Sequence, residues 1–363
     1  MAQIVKTNTG YMVRVTWRDE NGKQHKKSKA GFKTKAAARK AGAEMEQLKY
    51  NGMLSSKNPA FIDYYIEWYK TYKEPRSSNA TKRFYDYCIT VIQKNFGKQK
   101  ITSINRQRYQ QFINNFGQGK SKHTVIKVNA YIRVCVKNAV YDGIIPRDFT
   151  QQVELSWDDE KTRKIDYLSI TEMKQAIAYL KNNRRSYYTG RYMILTAFYT
   201  GMRLSEIQAL TWNDVDYDNK TITINKSWDS EIKEFKATKT GSSNRTIRVN
   251  DELLSLLDDL KKNQTDLIFE NPRYHNIPNS ATINKVLRRQ LESAGVHKDD
   301  INFHSLRHSH VAYLLERDVP LYAISKRLGH SNMTTTANQY AYLIDEFRAR
   351  SDDQIEQAIN DLG

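Results

Sequence analysis

The chain has 363 residues, 39% of them hydrophobic, and carries 58 Lys+Arg against 40 Asp+Glu, a formal net charge of +18. That length exceeds one ordinary compact unit, so two or three domains are expected, and the charge points to polyanions, with nucleic acid first. No run nears the ~18 apolar residues needed to span a bilayer, which excludes a membrane-spanning helix. Met1 to Lys6 lacks the apolar stretch of a signal peptide. The two cysteines, Cys88 and Cys135, fall within helical apolar patterns. Buried free thiols in a reducing cytoplasm are therefore expected, with no cysteine-based metal site.

Tyr11, Val13, Val15 and Trp17 alternate with polar residues, the period-two pattern of a half-buried strand, and Asn21-Gly22 then signals a hairpin turn. A very basic strand with Lys23, His25, Lys26, Lys27 and Lys29 follows, and Thr34 is placed to cap an Ala-rich helix. Residues 1–55 thus predict a three-stranded sheet with one helix on its back. Up to Lys57 there are 13 Lys/Arg and four acids. That excess suits a sheet face lying in a DNA groove, with Arg14, Lys26 and Lys27 as contacts. A solvated face that resists edge pairing is the alternative.

Ser55 to Pro59 reads as a linker. From Phe61 to about Gln152, four apolar stripes predict a small helical bundle. They are Phe61-Tyr64-Tyr65-Trp68-Tyr69, Phe84-Tyr87-Cys88-Val91-Ile92, Tyr109-Phe112-Ile113-Phe116 and Val125-Val128-Ile132-Cys135-Val136-Ala139. Basic residues on its outer faces, Lys82, Lys122 and Lys127 among them, are read as phosphate contacts or as solvated charges. Gln151 to Asp166 is a second polar linker. Ser169-Ile170-Thr171-Glu172 then opens a helix with a capping pattern, while Thr221–Asn225 and Arg245–Val249 alternate as strands with Gly241–Asn244 as a turn between them.

Several elements of this last segment make chemical sense together. Thr200-Gly201-Met202-Arg203 places an arginine after a glycine, with Glu206 one turn on. His304 and Arg307 stand three apart on one helical face, His330 follows Gly329, and Tyr340 lies ten residues further. Singly each is weak. Together they supply what phosphodiester transfer needs. Two guanidiniums can clamp the non-bridging oxygens and stabilise the pentacoordinate transition state, and arginine does this better than lysine because its fork is planar and always charged. A tyrosyl hydroxyl can hold the phosphoryl group covalently, an acid must protonate the leaving 5′ oxygen, and a base must take the tyrosine proton.

These motifs, in this order and with these gaps, resemble the tyrosine recombinase (phage integrase) family, over essentially the whole chain and most strongly from about 167 to 345. The resemblance implies that Arg203 and Arg307 hold the scissile phosphate, His304 serves as acid/base, His330 hydrogen-bonds the phosphate and Glu206 supports the first arginine. Tyr340 would attack, leaving a 3′-phosphotyrosyl link and a free 5′ hydroxyl. The family also uses a lysine on a β-hairpin as general acid; Thr238-Lys239-Thr240, followed by Ser243 and Arg245, matches that motif and selects Lys239 over Lys236. Tyr340, ten residues after His330, fits the group found in Gram-positive phages and conjugative elements, whereas Tyr342 at twelve does not.

The implied architecture is multidomain α+β. It comprises an arm-type DNA-binding domain (1–55), a helical core-binding domain (58–155) and a mostly α catalytic domain with a small sheet (165–363). The implied activity is site-specific recombination at attachment sites on double-stranded DNA by a homotetramer, integrating and excising a phage or other mobile element. No metal or nucleotide cofactor is expected; an excisionase and a host DNA-bending protein are common partners. Ile355, Ile359 and Leu362 form an apolar stripe on a tail helix, which docks either on a neighbouring protomer or in cis. Two rival readings stay open: a non-cutting architectural protein of the same fold, and a type IB topoisomerase. Site-specific nicking would exclude the first, and relaxation of plasmids lacking any attachment site would favour the second.

Overall fold

The computed structural model describes residues 2–18, 22–50, 58–162, 166–237, 241–298, 300–334, 336–337, 340, 356–357 and 359–361. The chain divides into two compact units, Met1–Lys164 and Ile165–Gly363. Asp19–Asn21 of the first turn, most of the Ser55–Pro59 linker, Lys239, Tyr342, Ile355 and Leu362 lie outside the described residues.

The first unit opens with an antiparallel sheet in the order β1 (Gln3–Thr7), β2 (Gly10–Arg18) and β3 (Gln24–Phe32). Helix α1 (Lys35–Tyr50) covers one face. Alternation along β2 sends Val13 and Val15 inward, where they are fully buried with Ala41 and Met45 of α1. Thr34 Oγ1 accepts the Ala37 N–H at 3.2 Å, so the expected cap forms. The register pairs Arg14 with Ser28 and Thr16 with Lys26, all on the face opposite Val13 and Val15. Lys27 pairs with Val15 and so projects from the helix-covered side. Of the three basic residues assigned to this sheet, Arg14 and Lys26 share the open face and Lys27 does not.

Four helices follow: α2 (Phe61–Tyr72), α3 (Asn79–Phe96), α4 (Arg106–Gly117) and α5 (Lys122–Tyr141). The first, third and fourth predicted stripes are wholly buried. In the second, Cys88, Val91 and Ile92 are buried as expected, and the departure is at its start. Tyr85 rather than Phe84 faces the core with Cys88, Val91 and Ile92, because i, i+3, i+7 from Tyr85 defines the narrower stripe. Phe84 and Tyr87 ride at the edge. The polar segment after Gln151 is no loose tether in its first half. Val153, Leu155 and Trp157 pack against the bundle, and the Asp158 N–H donates to Lys120 O at 2.9 Å.

The second unit begins with α6 (Ile170–Asn182), which carries the predicted capping box between Ser169 and Glu172. Helix α7 (Thr189–Thr200) is buried nearly all round and ends at Gly201, which takes the left-handed conformation at φ 65. A side chain there is excluded twice over, since a Cβ would lie 2.7 Å from His310 Cδ2. Next come α8 (Leu204–Gln208) and an antiparallel sheet of β4 (Val215–Asp216), β5 (Thr221–Ile224) and β8 (Arg245–Arg248). Between β5 and β8 the chain makes a separate hairpin that the alternation did not announce, β6 (Lys226–Asp229) with β7 (Glu234–Ala237). Its strands carry one large apolar cross-strand pair, Trp228 on Phe235 at 5.3 Å, too little to read as a strand pattern. The unit closes with α9 (Asp251–Asp258), α10 (Ser280–Ser293), α11 (Phe303–Glu316) and α12 (Leu321–Leu328). No helix among the described residues is long and apolar enough to cross a membrane.

Candidate active site

Three helix ends and one buried helix face build the site. Gly201 stops α7, so Arg203 falls at the N-cap of α8, and Glu206 at the third helical position folds back toward it. The Arg203 backbone N–H donates to Glu206 Oε2 at 2.9 Å, and its Nη1 donates to Oε1 at 2.8 Å. Glu206 is 4% exposed. Its second cation is Arg245 of β8, which reaches both carboxylate oxygens from Nη1 at 3.2 Å and Nη2 at 2.8 Å. Burial pushes the Glu206 carboxyl up, but the hydrogen bonds and charge of Arg245, aided by Arg203, outweigh it and hold the group below its ordinary value. Arg245 also donates from Nε to Arg327 O at 2.7 Å and from Nη1 to Ser243 O at 3.0 Å. It therefore joins the first arginine, the end of α12 and the chain following the β6–β7 hairpin.

Arg307 lies on α11, 2% exposed, and its guanidinium is held by two main-chain carbonyls, Gly201 O at 2.7 Å and Leu328 O at 2.8 Å. Both acceptors belong to helix C-termini, whose unpaired carbonyls attract cations. Burial, with the charge of Arg203, pushes its pKa down to about 10, so it stays charged at neutral pH. Its Nη2 also lies 2.9 Å from Nε2 of His330. His330 follows Gly329, a second left-handed cap at φ 70, and its Nδ1 sits 2.7 Å from Thr336 Oγ1. Burial and the charges of Arg307, Arg203 and Arg245 push His330 down to about 4.

His304 occupies the first turn of α11, exposed to solvent, and is lowered by desolvation and by the charges of Arg307 and Arg203. Its ring meets that of His308 edge-on at 5.0 Å, and His308 in turn lies 5.3 Å from the Tyr340 ring. Tyr340 is fully buried, packed with Val311, Ala312, Ile324 and Leu328. Its hydroxyl has no hydrogen-bond partner among the described residues, nor does His308 Nδ1. Burial raises the Tyr340 phenol above its ordinary value, against the charges of Arg307 and Arg203, so the hydroxyl is protonated at rest.

The fold therefore gathers Arg203, Glu206, His304, Arg307, His330 and Tyr340 around one point. Lys239 lies outside the described residues, and Lys236 is bonded to Asp229 Oδ2 at 3.0 Å. Arg14, Lys26, Lys27, Lys82, Lys122 and Lys127 belong to the other unit. Lys122 Nζ lies 4.7 Å from the Trp157 ring centroid, and Lys127 Nζ lies 3.9 Å from that of Phe84. Of the tail stripe, Ile359 is described and is 61% exposed.

Sequence reasoning left out Arg245 as a partner of Glu206, Thr336 behind His330, and a pair between buried His310 and half-buried Arg327. Arg327 Nε donates to His310 Nε2 at 3.2 Å, and His310 Nδ1 then faces Phe198 O at 2.8 Å. Each is a tertiary contact between segments with no shared periodicity, so no sequence signal marks it.

A buried arginine, Arg307, and a half-exposed one, Arg203, with a buried carboxylate between Arg203 and Arg245, two histidines and a buried tyrosine, make an arrangement that could handle a phosphodiester. The phage integrase family profile matches residues 166–346, and an arm DNA-binding domain profile matches residues 3–47. The integrase of Staphylococcus phage L54a is 24% identical over 351 residues, covering 88% of this chain and 96% of that protein. A Tn1549 transposon integrase in complex with circular intermediate DNA superposes with a TM-score of 0.70 at 18% identity, covering 82% of this chain and 99% of that one. A lambda integrase tetramer bound to a Holliday junction gives 0.61 at 16% identity, covering 91% and 96%. The chain belongs to the phage integrase family of tyrosine recombinases.

Proposed function

We propose that this protein cuts and rejoins double-stranded DNA at attachment sites through Tyr340, integrating and excising a mobile element. The observation that carries the reading is the convergence of Arg203, His304, Arg307, His330 and Tyr340 from four separated segments, with both arginines braced by buried partners. Arg203 and Arg307 bind the non-bridging oxygens of the scissile phosphate, and His330 adds a hydrogen bond. The Tyr340 oxygen attacks phosphorus while the bond to O5′ breaks. His304 takes the phenolic proton, and Lys239 supplies one to O5′. The products are a 3′-phosphotyrosyl link and a free 5′ hydroxyl. A 5′ hydroxyl from the partner strand reverses the step, so the bond energy is conserved and no nucleotide is consumed.

The basic sheet face with Arg14 and Lys26 would hold a second, arm-type DNA site. Lys82, Lys122 and Lys127 would follow the backbone of the core site. The three-domain division at 1–55, 58–155 and 165–363 belongs to this reading, as does assembly of four protomers on DNA, by analogy with the lambda tetramer. An excisionase and a host DNA-bending protein would set direction, in the bacterial cytoplasm.

The test is a covalent trap. Wild type, Tyr340→Phe and Tyr342→Phe are incubated with nicked suicide DNA bearing the element's attachment site. An SDS-resistant adduct lost only in Tyr340→Phe is the expected result. Loss only in Tyr342→Phe moves the nucleophile, and tight binding by wild type with no adduct leaves a non-cutting architectural protein.

A further inference from the structure

His330 is tied at both ring nitrogens, and the donors and acceptors fix its proton. A guanidinium only donates, so Nε2, 2.9 Å from Arg307 Nη2, must accept. The ring is neutral, because burial and its neighbours Arg307, Arg203, Arg245 and His304 all oppose a second charge. The one ring proton therefore sits on Nδ1 and is donated to Thr336 Oγ1 at 2.7 Å. Thr336, its acceptor role filled, donates its own hydrogen to Ser325 Oγ at 3.0 Å. Thr336 is fully buried and Ser325 is 4% exposed, which keeps water from replacing either hydroxyl.

This arrangement opposes the role assigned above. To hydrogen-bond a phosphate, His330 must carry a hydrogen on Nε2, where it now has a lone pair. Hydroxyls are rotors that can reverse. If Ser325 donates to Thr336 and Thr336 donates to Nδ1, the ring proton belongs on Nε2 and no heavy atom moves. We propose that Thr336, backed by Ser325, is a positioning residue that holds the His330 ring and lets it change from an Nε2 acceptor facing Arg307 to an Nε2–H donor facing the scissile phosphate. The exchange is balanced: Nε2 gains one proton from water at the half-buried ring, the Nδ1 proton passes to Thr336, that of Thr336 passes to Ser325, Ser325 releases its own to solvent, and the net charge is unchanged. Ligand arrival drives it, since a phosphate takes up the Arg307 guanidinium hydrogens and leaves the stationary Nε2 facing an anion. A side chain without a hydroxyl at 336 leaves Nδ1 with neither acceptor nor donor and so supports neither state well.

The inference rests on the phosphate role given to His330, and its test separates the two. Full-length Thr336→Val, Thr336→Ser and Ser325→Ala are compared with wild type in single-turnover adduct formation across pH. Ring-nitrogen NMR on ¹⁵N-histidine-labelled protein, with and without attachment-site DNA, reports the tautomer. We expect the Nδ1–H signature for His330 without DNA and the Nε2–H signature with it. Thr336→Val should cut about 10- to 100-fold more slowly, the size seen when an outer hydrogen-bond partner of a working histidine is removed. Thr336→Ser should recover most of that rate, and Ser325→Ala should lose less. Wild-type cutting by Thr336→Val, or Thr336→Ser as slow as Thr336→Val, would overturn the relay. An unchanged His330 tautomer on DNA would overturn it too, even should Thr336→Val fail to fold. Absence of adduct from wild type would instead count against the recombinase reading, leaving the tautomer in DNA-free protein to judge the relay.

Discussion

Two sets of basic side chains, one in each unit of this protein, are held in opposite ways. In the first they lie at the surface: Lys26 and Lys27 are exposed on a strand, while Lys127 and Lys122 rest on the rings of Phe84 and Trp157. In the second, Arg245 and Arg307 are sunk into the unit, Arg327 is half-buried beside them, and all three are bonded to carbonyls, a carboxylate or histidines. A lysine in water attracts any polyanion from a distance and is screened by salt. An arginine held by fixed partners in a drier place has a set direction, which a transition state requires of it. On the proposed reading, exposed charge would mark the surface that meets DNA, whereas restraint on each charge would mark the chemistry.

Breaking that restraint should give the largest effects. Arg307→Lys keeps the charge but cannot reach Gly201 O, Leu328 O and His330 at once. Adduct formation should fall by about 10²–10³-fold or more, measured in the suicide-DNA assay, with DNA affinity nearly kept. Wild-type cutting by this variant would remove Arg307 from the chemistry.

Arg245→Met should come next, because it leaves Glu206 buried with Arg203 as its remaining cation. A loss in urea unfolding at neutral pH is expected, below the roughly 3–5 kcal/mol of a fully orphaned buried charge because Arg203 stays bonded to Glu206. The pH dependence carries a sign. Glu206 is lowered in the folded state, so its contribution is present above the ordinary carboxylate range and is lost as pH falls through the folded pKa. In Arg245→Met that acid-side loss should be blunted, since the larger share, from Arg245, is already gone.

A smaller effect should come from the histidines. His308 and His330 are pushed down to about 4 and His310 to about 3, burial being the first cause in each. A depressed histidine contributes stability that is full above its unfolded pKa, about 6.5, and declines as pH falls through the folded value. Melting temperature should therefore begin to drop below about pH 6.5 and keep dropping to about 4. A flat profile across that window would mean that these rings are solvated in solution.

The smallest effects should lie in the first unit. Arg14→Ala and Lys26→Ala should each weaken arm-site binding and reduce the slope of log affinity against log salt by about one. Lys27→Ala, on the opposite side of the strand, should leave the slope nearly unchanged. Equal slopes for Lys26→Ala and Lys27→Ala would show that the open sheet face is not the one that meets DNA.

Much of this was legible in the residues themselves. Period two in Tyr11–Trp17, the aromatic stripes of α2 and α4 and the Ser169–Glu172 capping box are local patterns, and local hydrogen bonding or one-sided burial makes them readable. Gly201 and Gly329 were readable for a different reason: a left-handed helix end has few tolerable residues, so the positions of Arg203 and His330 just past two helix stops follow from sequence alone. The tertiary structure decided the rest. It shifted the α3 stripe to Tyr85, inserted the β6–β7 hairpin and packed the 151–162 strap on the bundle. It also chose Arg245 as the second cation of Glu206 and stationed Thr336 behind His330. Those partners come from segments whose spacing along the chain carries no period, and a buried polar group takes whichever donor or acceptor the packing brings within reach. The sequence determined which groups could do this chemistry; folding determined how each one is held, and so which way its protons point.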